Sequence, residues 1–218
     1  MNKLKMTIPA IGLLIFIACA QGENGDRSLP KEEALEQNDY SRYSKAYFAA
    51  GCFWCVEAVF ESVQGVQEVI SGYAGGDRKD ASYRKIGSGK TGHAESVEVI
   101  YDSTVVSYDT LLVVFFGSQD PTTLNRQGPD SGTQYRSAIF YRNEMELQKA
   151  KAYIQKLDRS GIYSKPIVTE LTPFDAFYPA EDYHQNYEKL HPENPYVQSV
   201  SIPRLNKFKS KFPHLLKP

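Results

Sequence analysis

Cysteine is scarce in this chain, with three residues among 218. That is too few for a disulfide-stapled scaffold. No block of Lys or Arg occurs, and 25 basic residues against 26 acidic ones leave a net charge of −1, which argues against a nucleic-acid binder or a basic membrane-surface protein. Gly (15) and Pro (12) are near ordinary usage, so collagen-like and low-complexity classes are excluded. Tryptophan occurs once. What the chain does have is 41% apolar residues, enough for one globular domain, and 15 tyrosines, amphipathic rings suited to a site that is partly wet and partly apolar.

The first twenty residues read as a signal peptide rather than structure. Lys3 and Lys5 precede an apolar stretch from Ile8 to Ala20 that is short for a transmembrane helix. Two processing routes compete. Ala18 and Ala20 form an A-x-A site with cleavage after Ala20, whereas Phe16-Ile17-Ala18-Cys19 resembles a bacterial lipobox in which Cys19 carries lipid. The lipobox is the preferred reading, and either route removes Lys3 and Lys5 and takes the net charge from −1 to about −3. Residues 21–42 are polar, with Gly22, Gly25 and Pro30, and read as a flexible linker. The expected location is therefore the cell envelope or periplasm, with membrane attachment through Cys19.

The domain, residues 43–218, is patterned as β-α-β-β-α-β-α-β. Tyr47-Phe48-Ala49-Ala50 is a short strand signal, and Val56, Val59, Phe60 and Val63 form a helical stripe closed by Gly65. Val66 to Ala74 reads as a strand and Asp77 to Gly92 as a polar loop. Glu95, Val97, Val99 and Tyr101 alternate with Ser96 and Glu98, which predicts a strand with one solvated face. Tyr108, Leu111, Leu112, Phe115 and Phe116 mark a second helix, Ser118 to Gly132 an irregular stretch, and Ser137 to Tyr141 a strand. Asn143 with Glu146 three residues on is a capping signal for a third helix lined by Leu147, Ala150, Ile154 and Leu157 and closed by Gly161. Ile167 to Leu171 is the last strand, and from about Thr172 onward poor periodicity and recurring Pro predict irregular coil wrapped on the domain. One crossover helix too few for a wound parallel sheet points to an α+β fold, a two-layer ferredoxin-like sandwich with a mixed β-sheet.

The chemistry gathers at the first strand-to-helix junction, Gly51-Cys52-Phe53-Trp54-Cys55. A thiol at a helix N-terminus meets unpaired N–H groups and the positive end of the dipole, which predicts a lowered pKa for Cys52. Gly51 supplies the freedom for the sharp turn. Cys55 lies about one turn on, so a Cys52–Cys55 disulfide is sterically reasonable and dithiol redox chemistry follows. The alternatives are a static bridge or a pair of small buried side chains. A zinc site is disfavoured because His93, His184, His191 and His214 show no paired ligand spacing. Phe53 and Trp54 cannot both lie on the apolar stripe, so at least one faces the site. Glu95 shares the phase of Val97 and Val99, where burial would keep a carboxyl protonated at neutral pH; the competing reading places it in solvent before the strand begins.

Five collinear blocks then identify a likeness. GCFWCVE (51–57), SGYAGG (71–76), GHAESVEV (92–99), NRQGPDSGTQYRS (125–137) and AEDYHQ (180–185) resemble the signature blocks of peptide methionine sulfoxide reductase A, over roughly residues 45 to 200. The resemblance implies that Cys52 attacks the sulfoxide sulfur, that Phe53 and Trp54 hold the S-methyl group, and that Glu95 protonates the sulfoxide oxygen. Tyr83 and Tyr135 match the tyrosines that bind that oxygen, Asp130 a supporting acid and His184 a residue near the site; His93 is read as orienting its loop. It further implies the S epimer as substrate, free or in proteins, no bound cofactor or metal, a thioredoxin-like external reductant, and a monomer. Many relatives carry recycling cysteines near the C-terminus, but residues 202–218 hold none, which makes Cys55 the resolving residue. Pro129 stands where the family often has Asn. A general dithiol oxidoreductase, and a lipoprotein that only binds oxidised peptides, are the competing functions. The first has no need of Glu95, Tyr83 and Tyr135 together, and the second no need of a complete catalytic set.

Overall fold

The computed structural model describes residues 39–218. The stretch read as a signal peptide, Cys19, and the expected linker up to residue 38 lie outside the described residues. Tyr40, at the start of the described chain, donates its hydroxyl to Glu68 at 2.9 Å.

The elements run β1 (Ser44–Ala50), α1 (Phe53–Glu61), β2 (Val66–Ala74), α2 (Tyr83–Ile86), β3 (Ala94–Tyr101) and α3 (Tyr108–Gly117). Then come β4 (Arg126–Gln127), β5 (Asp130–Ser131), β6 (Ser137–Tyr141), α4 (Glu144–Ser160), β7 (Glu170–Pro173), β8 (Phe177–Pro179), α5 (Tyr187–Leu190) and α6 (Ile202–Lys211). The main sheet has the order β7-β6-β1-β3-β2-β8. Neighbours are antiparallel except β6 and β7, which pair in parallel, so the sheet is mixed as expected. The strand-helix order anticipated for residues 43–171 is recovered.

Strand alternation sends Ala46, Phe48 and Ala50 of β1, and Val97, Val99 and Tyr101 of β3, to one face. There the stripes of α1 and α3 meet them: the Phe48 ring lies 5.1 Å from Phe60 and 5.2 Å from Phe115. The other face is buried too, which the alternation in β3 did not anticipate. Tyr47, Ala49, Ala74, Ala94, Ala138 and Phe140 lie there under Phe174 and Phe177, from the chain that follows β7. Glu98 on that face is consequently buried, accepting from Tyr47 Oη at 2.6 Å and pairing with Lys45 Nζ at 3.0 Å.

Three expectations need correction. The strand expected at residues 167–171 is β7, Glu170–Pro173, because the Val168 N–H bonds to the Pro121 carbonyl and leaves the sheet; β8 follows it. The polar loop after β2 contains the single turn α2, which begins at Tyr83. The tail is not simply irregular coil: β8 adds to the sheet edge, and a turn of π-helix, Val197–Ser201, runs into the ten-residue α6. Leu205 and the buried Phe208 of α6 pack on the core. Pro203 sits in the first turn of α6, just where the π-helical turn hands over to it, so this proline does not end the helix.

The third helix begins as its sequence predicts. Asn143 Oδ1 accepts the Glu146 N–H at 2.9 Å, and the Glu146 carboxylate reaches back to the Arg142 N–H at 2.8 Å and to its guanidinium. Asn143→Ala is expected to lower unfolding free energy by about 1 kcal/mol, the usual value of such a cap, as measured by urea denaturation.

Candidate active site

The turn between β1 and α1 is shaped by Gly51, whose φ is +82°. A Cβ there would lie 2.5 Å from Gln127 Cβ, so the β4–β5 hairpin approaches only because residue 51 has no side chain. Cys52 follows as the N-cap residue of α1. Beneath it stands Glu95, 3% exposed, paired across the sheet with Tyr73 and on the helix-facing side of β3. Its Oε2 accepts the Phe53 N–H at 3.1 Å, which ties the carboxyl to the first turn of α1. Burial raises the Glu95 pKa to about 8, against the lowering effect of that N–H; Asp130 and Cys55 push it further up. Glu95 therefore carries its proton at neutral pH, as its phase in the strand suggests.

Cys52 departs from expectation. It does sit at the helix N-terminus, but its thiol pKa is raised, chiefly by burial, then by its hydrogen bond with Cys55 and the nearby Glu95. The Phe53 N–H that would favour a thiolate is taken by Glu95. The partner thiol moves the other way: the hydrogen bond from Cys52, helped by Arg204 and Ser201, holds Cys55 below its ordinary value against burial. Cys55 Sγ lies 2.9 Å from Ser201 Oγ and 3.9 Å from Tyr196 Oη. Both cysteines are free thiols and buried.

A cavity of about 280 Å³ opens over Cys52. Phe53, Trp54, Tyr83, Glu95, Asp130 and Tyr135 all line it, as the sequence predicts. Phe53 is fully buried and Trp54 partly exposed, so the pair forms an apolar floor and rim. Burial raises the pKa of Tyr83, to about 12, and of Tyr135, leaving two phenol donors at neutral pH. The cavity thus brings the Cys52 thiol, the protonated Glu95 carboxyl and the Tyr83 and Tyr135 phenols together around an apolar wall: a sulfur nucleophile facing an acid and hydrogen-bond donors suited to a developing oxyanion.

His184 does not line this cavity. It works from behind: Trp54 Nε1 donates to its Nδ1 at 3.1 Å, and its ring packs 4.3 Å from Tyr83 and 5.0 Å from Phe53. Burial lowers its pKa, so the ring stays neutral and accepts that bond. Trp54 is held on its other side by Tyr187, stacked at 3.7 Å and 7°. His93 also stands apart, its Nε2 within 3.0 Å of the Asp77 carbonyl, which fits the orienting role read for it. Glu57, in the first block, accepts Ser71 Oγ and the Asn186 N–H, both at 2.5 Å, and so clamps the tail onto α1 and β2.

Two lining residues were not anticipated, Asn194 and Tyr196. Tyr196 Oη donates to Asp130 Oδ2 at 2.5 Å, and the ring stands edge-on to Trp54 at 6.0 Å. Their signal was an aromatic beside an Asx-Pro turn, Asn194-Pro195-Tyr196, inside a tail read as coil. Among the described residues, no group of three or more His, Cys, Asp or Glu side chains is placed to hold a metal ion.

Since Trp54 is the only tryptophan, its emission reports on this wall. His184→Ala is expected to release the indole N–H to water and shift Trp54 fluorescence to longer wavelength, with little change in far-UV circular dichroism; an unshifted spectrum would show that Tyr187 alone fixes the ring.

The family model for peptide methionine sulfoxide reductase matches residues 44–216. The peptide methionine sulfoxide reductase MsrA of Acinetobacter baumannii is 51% identical over 173 residues, covering 79% of this chain and 98% of that protein. Among solved structures, methionine sulfoxide reductase A of Corynebacterium diphtheriae aligns with a TM-score of 0.63 at 36% identity, covering 70% of this chain and 77% of that one. Reduced Mxr1 from Saccharomyces cerevisiae aligns at 0.65 and 31% identity, covering 71% of this chain and 88% of that one. With the signature residues gathered around one cavity and relatives of this similarity, the chain belongs to the peptide methionine sulfoxide reductase family and is an enzyme of that kind.

Proposed function

We propose that the chain reduces the S epimer of methionine sulfoxide, free or in proteins, with Cys52 as nucleophile and Glu95 as acid. The observation that carries this reading is the buried, protonated Glu95 carboxyl lining the same cavity as the Cys52 thiol. The substrate's S-methyl group rests on Phe53 and Trp54, and its oxygen meets Glu95, Tyr83 and Tyr135. A sulfoxide sulfur is a poor electrophile until its oxygen is protonated or strongly hydrogen-bonded. Cys52 then attacks, and overall a thiol and a sulfoxide become a sulfenic acid and a thioether. Cys55 condenses with the sulfenic acid, forming the Cys52–Cys55 disulfide and releasing water; the hydrogen bond between the two thiols supports this pairing. A thioredoxin-like dithiol reduces the bridge.

The strand order and antiparallel pairing of β6, β1, β3 and β2, with α1 and α3 packed on one face, support the ferredoxin-like description. Export to the envelope, lipid on Cys19 and repair of oxidised envelope proteins rest on Phe16-Ile17-Ala18-Cys19 and its apolar approach. Mass spectrometry of membrane-fraction protein should find lipid on Cys19; a soluble form beginning at Gln21 would instead mark A-x-A cleavage.

Cys52→Ser is expected to abolish sulfoxide reduction, read as methionine released from each epimer separately. Glu95→Gln should slow a single turnover by about 10²–10⁴-fold. Because Glu95 acts in its protonated form and titrates at about 8, the wild-type rate should fall as pH rises through that value. Glu95→Gln should lose that limb. An unchanged alkaline limb in the variant would assign it to another group.

A further inference from the structure

A second cavity, of about 300 Å³, opens at Cys55. Cys55 lines it and Cys52 does not, whereas Cys52 lines the sulfoxide cavity and Cys55 does not. Asp130 and Tyr196, joined by their 2.5 Å hydrogen bond, belong to both and form the partition. The two chambers differ in charge. The sulfoxide side holds the carboxyls of Glu95 and Asp130 and no basic residue. On the other side, Arg204 and Lys207 stand against Asp130 alone. Arg204 is fixed there, its Nε donating to the Ser118 carbonyl at 2.8 Å and its Nη1 to the Ala50 carbonyl at 3.0 Å. Its Nη2 is buried without an acceptor among the described residues, as is the Nε2 of Gln119 in the same wall. Lys207 is exposed.

We infer that this second cavity is a reductant site, which admits a carboxylate-bearing thiol of amino-acid or short-peptide size to the Cys55 side of the bridge. The inference rests on the proposed Cys52–Cys55 disulfide and adds a second, small-thiol route to opening it beside the thioredoxin-like dithiol. Thiol–disulfide exchange needs the attacking sulfur in line with the bond it breaks, so attack on Cys55 has to come by a route clear of Cys52, and this cavity reaches Cys55 without including Cys52. The volume suits a small ligand. Arg204 and Lys207 attract the carboxylate, whereas the sulfoxide side offers it no basic residue. The incoming thiolate forms a bond to Cys55 Sγ, the Cys52–Cys55 bond breaks, and its electron pair leaves on Cys52, which takes the Glu95 proton. A second thiol attacks the outer sulfur of the mixed disulfide. The products are the small-molecule disulfide and the reduced dithiol, so two thiols supply the two electrons. Substrate and reductant thus enter by separate doors.

The test uses the full-length Cys52→Ser protein, which needs no turnover. Two disulfide probes of similar size and opposite charge, 3,3′-dithiodipropionate and cystamine, are reacted with it, and labelling of Cys55 is followed by peptide mass spectrometry, which separates it from Cys19. Each rate is divided by that of the same probe with 2-mercaptoethanol. The dicarboxylate should label Cys55 about tenfold or more faster than the diamine, by the steering a basic cavity provides. Lys207→Glu, a change at an exposed position, should erase or invert that preference, and Val200→Trp in the cavity wall should slow both probes. Equal rates, a preference for cystamine, no labelling of Cys55, or a preference indifferent to Lys207→Glu would each overturn the proposal. Whether wild-type protein given sulfoxide without reductant forms the Cys52–Cys55 bridge is read separately. If it does not while the labelling preference holds, the resolving role of Cys55 fails and the anion-selective cavity stands.

Discussion

The bond from the Phe53 N–H to the Glu95 carboxyl is the constraint on which the site depends. It joins the first turn of α1 to the middle of the sheet and fixes an acid directly beneath the nucleophile's helix. The same contact settles the electrostatics. Because the Phe53 N–H donates to Glu95 and not to a thiolate, Cys52 is governed by burial, and a carboxyl sealed under a helix stays protonated. In the proposed reaction this division matches a need for an acid more than for a strong resting nucleophile, since a sulfoxide sulfur is a poor electrophile until its oxygen is protonated or strongly hydrogen-bonded.

Around that contact the walls are held by residues that never touch the cavity. His184 and Tyr187 pin Trp54 from two sides, Glu57 ties α1 to Ser71 and Asn186, and Arg204 ties the tail to the carbonyls of Ala50 and Ser118. All of these anchors involve the last forty residues of the chain. The tail is thus a structural wall of the site rather than a wrapping on a finished domain. Rigid supports of this sort keep a small apolar floor and a set of donors in register with one another.

The sequence spoke most clearly where local rules and tertiary demands coincide. The stripes of α1 and α3, the Asn143–Glu146 cap and the phase of Glu95 all survive because burial merely selects the face the pattern already offers. It spoke less well where a distant segment changes the meaning of a residue. Glu98 looked solvated until Phe174 and Phe177 covered it. Cys52 looked acidic until Glu95 took its N–H. Tyr196 and α6 were obscured by the prolines at 195 and 203, which read as breakers yet sit in a turn and in a first helical turn. His184 was found by its block, but a motif marks proximity to a site and not contact with it.

The long reach of the tail also sets an order of assembly. Trp54 waits for a partner 130 positions later, and Cys55 for one 146 positions later. Contacts of such separation close late, after the entropy of a large loop has been overcome. Until residues 184–204 arrive, Trp54 and Cys55 lack these partners on the nascent chain. Maturation of this enzyme therefore passes through an interval in which Cys55 faces, without these partners, the oxidants whose damage the family reverses, and speed of closure becomes a selectable property of the fold.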